Sequence, residues 1–311
     1  MKVKTKVIKP NPGSVFNYLK HNYEFYLFLI PGLVFLILFD VLPMYNISIA
    51  FKGFKIPLGI SGSPWVGFDN FRKIFADPNF LNVVRNTLII NLYKLVIITP
   101  IPMILAILMN EMRIMRIKKF VQTVVYVPHF FTWVVVYSVF YIVFGSGGVV
   151  NTVVTALGGE QILFFMKGGW FRFLLILSDA WHSVGWGTIV YLAVITSIDT
   201  NIYEAAIVDG ANKFRQIYHI TLPSLLPTFI LMLSINLGNI MSSGFGQVLV
   251  FYNPTVYNVG DIIGTYVYRV GLGQANYSYA TAVGLFNSVI GFILVIASNL
   301  LSKKTTGKTV W

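Results

Sequence analysis

Cysteine is absent from this sequence, and charged residues fill only 11% of its 311 positions. Without cysteine there are no disulfides and no thiolate metal sites. A soluble domain carries about 25% charged residues, and a chain this long needs that polar surface to cover its core. Acidic residues are the scarcer sign, 11 against 23 Lys and Arg, for a formal net charge of +12. Such a balance suits nucleic acid in principle, but here the cations sit between long apolar runs. That is the pattern of a chain held in lipid by its loops. Several chemical signatures are also missing. There is no G-x4-G-K-[ST] phosphate loop, no H-E-x-x-H and no Cys/His cluster, so the chain is expected to be non-catalytic, with no metal and no cofactor of its own. The glycine-rich GSGG at 145–148 lacks a following Lys and reads as a flexible turn. NVGD, ending at Asp261, only grazes a membrane aspartyl protease signature and reads as chance.

Hydrophobic residues make up 56% of the chain. A bilayer core of about 30 Å needs roughly 20 apolar residues per helix. Six stretches qualify: 23–51, 86–108, 120–144, 171–198, 225–248 and 279–301. The third is rich in Val, Phe and Tyr, yet an open strand in lipid leaves its backbone unpaired, so helix is predicted. Barrel strands would be half this length and strictly alternating. The fold class predicted is all-α, with six transmembrane helices in one domain spanning 1–311. The basic start is followed by a polar stretch and then a run too long for a signal-peptide core, which predicts a tail at 1–22 rather than a cleaved leader. Fourteen Lys and Arg fall in the tail, the second-to-third and fourth-to-fifth loops and the C-terminus. Eight fall on the opposite side, seven in the loops at about 52–85, 145–170 and 249–278 and Arg172 at the edge of the fourth span, and Lys94 lies within a span. The bias predicts both termini on the cytoplasmic side.

The loop between the fourth and fifth spans, 199–223, is the most informative segment. Asn201 is positioned to cap a short helix, with Glu204 completing a capping box. Tyr203 to Asp209 then makes about two turns, and Gly210 suits the left-handed residue that ends them. Asn212 starts a second short helix, and Pro223 and Pro227 stiffen the entry to the fifth span. Ala205, Ala206, Gly210 and Ala211 are small enough for a partner to approach closely. On residues alone, this is either a well-capped surface loop or a docking element.

The spacing Glu204-Ala205-Ala206, Gly210, Ile220, Leu222-Pro223 resembles the EAA motif of bacterial ABC importer permeases, EAA-x3-G-x9-I-x-LP. GFDNFRKIFADPNFLNVVRNTL from Gly67, VVYVPHFFTWVVV from Val124 and the long stretch from Ser242 resemble sugar permeases of the maltose-transporter type, in the branch for complex oligosaccharides. One position departs: the acidic residue expected before Gln247 is Gly246. The resemblance implies a type I ABC importer permease fold in a bacterial cytoplasmic membrane. It implies that 199–223 is a coupling helix docking on an ATPase. The implied partners are a second, homologous permease, two ATP-binding subunits that use ATP and Mg, an extracellular solute-binding protein and an oligosaccharide substrate.

Polar groups at membrane depth are costly and face cavities or partners. Asn236, Asn239, Ser243 and Gln247 recur at helical spacing in the fifth span, with Tyr252 and Tyr257 just beyond. They read either as the lining of a sugar pathway, since sugars bind neutral hydrogen-bonding groups and aromatic faces, or as interhelical packing. Asp179 and His182, three apart in the fourth span, read as a locking network or a proton relay, and His129 in the third span carries no assignment. Lys94 either snorkels or faces a cavity. A self-contained secondary transporter is the competing reading, with Asp179 as its one central carboxylate.

Overall fold

A computed structural model describes residues 20–306. All but the last three residues of the predicted tail, and Lys308, lie outside this range. Among the described residues six helical runs are long and apolar enough to cross a membrane: Tyr23–Phe51, Pro78–Asn110, Trp133–Ala156, Gly168–Thr196, Lys213–Gly238 and Tyr277–Leu300. The extended structure recorded is one isolated antiparallel bridge, Lys52 to Trp65.

The first run begins as α1 (Tyr23–Leu36) and continues through a π-turn, Ile37–Val41, into a 3-10 segment, Leu42–Phe51. Pro43 explains the change of winding. Its ring cannot sit against the carbonyl four residues back, at Phe39, and the wider turn relieves the clash. The same device recurs at Ile217–Thr221, which precedes Pro223. There α10 (Lys213–Gln216) runs through the π-turn into α11 (Leu222–Gly238) without a break. The second short helix predicted for the loop is therefore the start of the fifth span, and neither Pro223 nor Pro227 interrupts it.

Two spans differ from expectation. The third was predicted as one helix over 120–144. It is divided into α5 (Met115–Tyr126), a 3-10 turn at Val127–Phe130, and α6 (Trp133–Phe144). Pro128 withholds a donor, and the chain is extended at Phe131 and Thr132. The run long enough to span starts at Trp133 and passes the GSGG turn into α7 (Val149–Ala156). That turn is held by Asn151, whose Nδ2 donates to the carbonyls of Gly145 and Ile162, both at 2.9 Å. The fifth span stops at Gly238. Residues 239–244 form a turn, and helix resumes as α12 (Phe245–Phe251).

The long helix α8 (Gly168–Thr196) runs through the middle of the bundle. It packs on α3 (Pro78–Ile98), α4 (Ile101–Asn110), α5, α6, α11 and α12. Phe171, Leu174 and Leu175 of α8 are fully buried with Ile90, Val136, Val248 and Val256. At its other end Tyr191 and Ile195 pack with Ala106 and Leu225. A separate core joins Ile74 of α2 (Asp69–Ala76), Phe80 of α3, Ile263 and Tyr266 of α13 (Ile263–Tyr268) and Ala282 and Val283 of α14 (Tyr277–Thr306). Asp261, buried at 1% exposure, pairs with Arg269 and accepts from Thr265 Oγ1 at 2.7 Å. Arg269 lies over the Tyr257 ring at 4.7 Å. These contacts account for Asp261 as a structural residue that ties the loop before α14.

Asp77 joins this end of the bundle. Its Oδ1 accepts the Asn79 amide at 2.9 Å, capping α3, and its Oδ2 accepts the hydroxyls of Tyr266 at 2.6 Å and Tyr279 at 3.2 Å. Burial alone would raise the carboxyl's pKa, but the hydrogen bonds from Tyr266, Asn79 and Tyr279 outweigh it and hold it below the ordinary 3.8. The stabilisation is therefore complete above that ordinary value and is lost as pH falls through the lowered one. Asp77→Ala is expected to cost about 2–4 kcal/mol, from the lost cap and the lost hydrogen bonds to a carboxylate; the Tyr266 and Tyr279 hydroxyls, 3.1 Å apart, retain only each other. Thermal unfolding in detergent at neutral pH should show a lower midpoint than the parent, with Asp77→Asn in between. An unchanged midpoint contradicts this role.

Candidate functional site

The loop after α8 folds as α9 (Thr200–Val208). Its cap is Asp199, whose Oδ1 accepts the Asn201 amide at 3.0 Å, and not Asn201 as predicted. Gly210 has φ of +76°, in the left-handed region, so the Ala211 amide reaches back to Ala206 O at 2.8 Å and closes the helix end. Asn212 caps α10 as expected, accepting the Arg215 amide at 3.0 Å. Tyr203 OH meets Thr221 Oγ1 at 2.9 Å, and Lys213 pairs with Glu111 after α4 at 3.4 Å. Tyr203 thus ties α9 to the foot of the fifth span, and Lys213 ties α10 to the end of α4. Outward the loop presents Glu204 and Ala205, with Val208 87% and Phe214 84% exposed. Apolar side chains this exposed on a fixed, capped element mark a contact surface.

At membrane depth the two interrupted spans and α3, α4 and α8 line a half-open cavity of about 340 Å³. Asn236, Asn239 and Ser243 line it, with Asn91, Lys94, Thr99, His129, Asp179, Trp186 and Tyr191. Asn236 Nδ2 reaches Thr99 Oγ1 at 3.4 Å, and Ser243 Oγ donates to Asn91 Oδ1 at 3.0 Å. Asn91 Nδ2 donates to the carbonyl of Ile240 in the turn, at 2.7 Å. The His129 ring is stacked on Trp186, 4.7 Å between centroids.

Lys94 is a cation at 9% exposure in this wall. Its Nζ lies 2.9 Å from Asp179 Oδ2 and also donates to Gln247 Oε1. Gln247, 1% exposed, donates through Nε2 to Leu175 O at 2.6 Å and Ser178 Oγ at 2.7 Å. Ser183 Oγ donates to Asp179 Oδ1 at 2.8 Å. A single buried charge in hydrocarbon is expensive, and removing one partner of a buried pair typically costs about 3–5 kcal/mol. Gly244, with φ of +87°, places its backbone where an added Cβ would stand 3.4 Å from Lys94 Nζ. Both the conformation and the space for the ammonium favour glycine there. No group of three or more His, Cys, Asp or Glu able to hold a metal occurs among the described residues.

Residues 98–307 match the family described as the binding-protein-dependent transport system inner membrane component. The chain belongs to this family. It is 44% identical over 287 residues to Protein LplB of Bacillus subtilis (strain 168), covering 92% of this chain and 90% of that one. It is also 44% identical over 280 residues to the polygalacturonan/rhamnogalacturonan transport system permease protein YteP of the same organism, covering 90% and 87%. Among solved structures, a chain of a bacterial ABC transporter that imports the acidic polysaccharide alginate superposes with a TM-score of 0.87. It is 36% identical, over 94% of this chain and 99% of that chain. The fold is that of an ABC importer permease, as the EAA spacing implied.

Within this permease, the motif residues Tyr203, Glu204, Ala205, Ala206, Asp209 and Gly210 all lie on α9 or its closing turn, and Ile220, Leu222 and Pro223 lie where α10 runs into α11. The four polar residues of the fifth span do not share one helical face. Asn236 is on α11, Asn239 and Ser243 are in the turn, and Gln247 is on α12. The turn still brings the first three to one cavity, while Gln247 is buried behind it on Lys94. Asp179 and Lys94 form one pair, which neither residue's position in the sequence indicates. Gly210→Val should strain the turn by about 1–2 kcal/mol through conformation alone, since nothing lies within 4 Å of an added Cβ. Uptake by the assembled transporter should fall sharply while the amount of chain in the membrane stays constant. Unchanged uptake contradicts a structural requirement at this turn.

Proposed function

We propose that this permease carries an oligosaccharide into the cell, driven by ATP hydrolysed on separate subunits. The observation that carries the reading is α9. It is a capped helix that opens the EAA spacing, tied to the foot of the fifth span through Tyr203, with an outward apolar tip at Val208. In this reading α9 docks in a cleft of an ATP-binding subunit on the cytoplasmic side, where both termini also lie. Closure of two such subunits on ATP and Mg moves α9 as a lever, and α10 and α11 pass the movement to the cavity without a break. Access to the cavity then alternates between the two membrane faces, and an extracellular binding protein supplies the sugar. The solved alginate transporter was crystallised with a periplasmic protein holding an alginate pentasaccharide, which supports the same arrangement here.

Two features support a second permease subunit. No residue of α1 is buried, so this part of the first span has a face for lipid or for a neighbouring chain. The cavity in one chain is also open on one side, and a facing subunit would complete its wall. The lining suits a carbohydrate: the exposed Asn236, Asn239 and Ser243 offer neutral donors and acceptors, and half-exposed Trp186 offers a ring face. The names of relatives such as YteP point to the same substrate class.

Cysteine placed singly at positions 236, 239 and 243 tests the pathway, because the native chain has no background thiol. A small hydrophilic reagent is expected to label these positions, at rates that change when sugar or ATP is added. If all three stay unreactive in every state while a cysteine at exposed Leu157 reacts, the polar residues serve helix packing alone.

A further inference from the structure

The two helix breaks are both fastened to a single stretch of α8. At the first break, His182 Nε2 donates to the free carbonyl of Phe131 at 3.1 Å, the nitrogen assigned as donor because a carbonyl only accepts. The same ring stacks on Trp133, the first residue of α6, at 4.3 Å. His182 Nδ1 lies 3.3 Å from Ser183 Oγ, which donates to Asp179. Asp179 pairs with Lys94, and Lys94 reaches Gln247 just beyond the second break. Gln247 returns to α8 at Leu175 and Ser178. One turn before Lys94 on α3, Asn91 holds the Ile240 carbonyl inside that second break.

We infer that residues 175–183 of α8, bolted to α3 by the Lys94–Asp179 pair, form a fulcrum that makes the two breaks move together. The inference rests on the ATP-driven reading above and adds a positioning role for Lys94, Asp179, His182 and Gln247. Movement of α9 reaches the second break through the Tyr203–Thr221 contact and the unbroken α10–α11 helix. The polar fulcrum then carries it to the first break, because α6 hangs on His182 by both a hydrogen bond and a ring contact. Breaks are mechanically soft points. Left unfastened, each would bend alone, and one side of the cavity would open without the other. A fastening made of directional hydrogen bonds and one ion pair holds its geometry where apolar packing would slip.

The test uses the transporter complex reconstituted in lipid nanodiscs, with single cysteines at exposed Thr132 and Ser242 as reporters of the two breaks. A small thiol reagent is applied with and without ATP and sugar-loaded binding protein, and labelling of this chain is read on a gel. In the parent, ATP is expected to change the rate at both positions. Two variants loosen the fulcrum. One replaces Lys94, Asp179 and Gln247 together by leucine, which strands no buried charge. The other, His182→Phe, keeps a ring against Trp133 but removes the hydrogen bond to Phe131. In both, the response at Thr132 should be lost while the response at Ser242 persists, a split that general destabilisation would not produce. His182→Phe keeps the test decisive if the triple variant fails to assemble. A persisting ATP response at Thr132 in the variants that assemble overturns the fulcrum. No response at Ser242 even in the parent overturns instead the ATP-driven reading on which it rests.

Discussion

Inside a bilayer, every backbone group freed by an interrupted helix must be satisfied by the protein itself. Much of this permease's polar chemistry follows from that constraint. Pro128 and the turn at 239–244 interrupt two spans at membrane depth, and each interruption frees carbonyls. Phe131 O is taken by His182, and Ile240 O by Asn91. Side chains recruited for this purpose stand around the breaks, and the space between them is the cavity. The polar wall and the interrupted helices are thus one feature, since neither would be stable in lipid without the other.

The ion pair extends the same logic to charge. Lys94 is held at membrane depth because a carboxylate and an amide oxygen converge on it from two other helices. Its cost of burial is offset only in this geometry. The pair therefore specifies the mutual position of α3, α8 and α12 more sharply than apolar packing would. Elsewhere the chain solves its backbone problems more cheaply. Pro43 and Pro223 are each preceded by a π-turn, which widens the helix and keeps it continuous. The continuity at Pro223 matters most, because it carries α10, which follows the turn that closes α9, into the membrane as one helix.

The spans were legible in the sequence because hydrophobic length alone decides them, and Gly210 and Asn212 were legible because their roles are local. The breaks were not. Asn236, Asn239, Ser243 and Gln247 recur at three and four residues, which is the spacing of one helical face, and only Gly244 hinted at a left-handed residue between them. The cap at Asp199 instead of Asn201 is a two-residue ambiguity among residues of equal capping ability. Lys94 and Asp179 were each conspicuous, yet their pairing depends on how distant helices pack, and no local pattern records it. The partner of Gln247, 153 positions away, was hidden for the same reason.

The central claim is that α9 carries the coupling to ATP hydrolysis, and contact is its most direct test. A photo-crosslinking amino acid at Val208, 87% exposed at the tip of α9, can be activated in intact membranes containing the whole transporter. The account predicts a crosslink to an ATP-binding subunit, with a yield that changes when ATP is trapped. Crosslinking only to lipid, or to no protein at all, with the complex shown to be assembled, would contradict it.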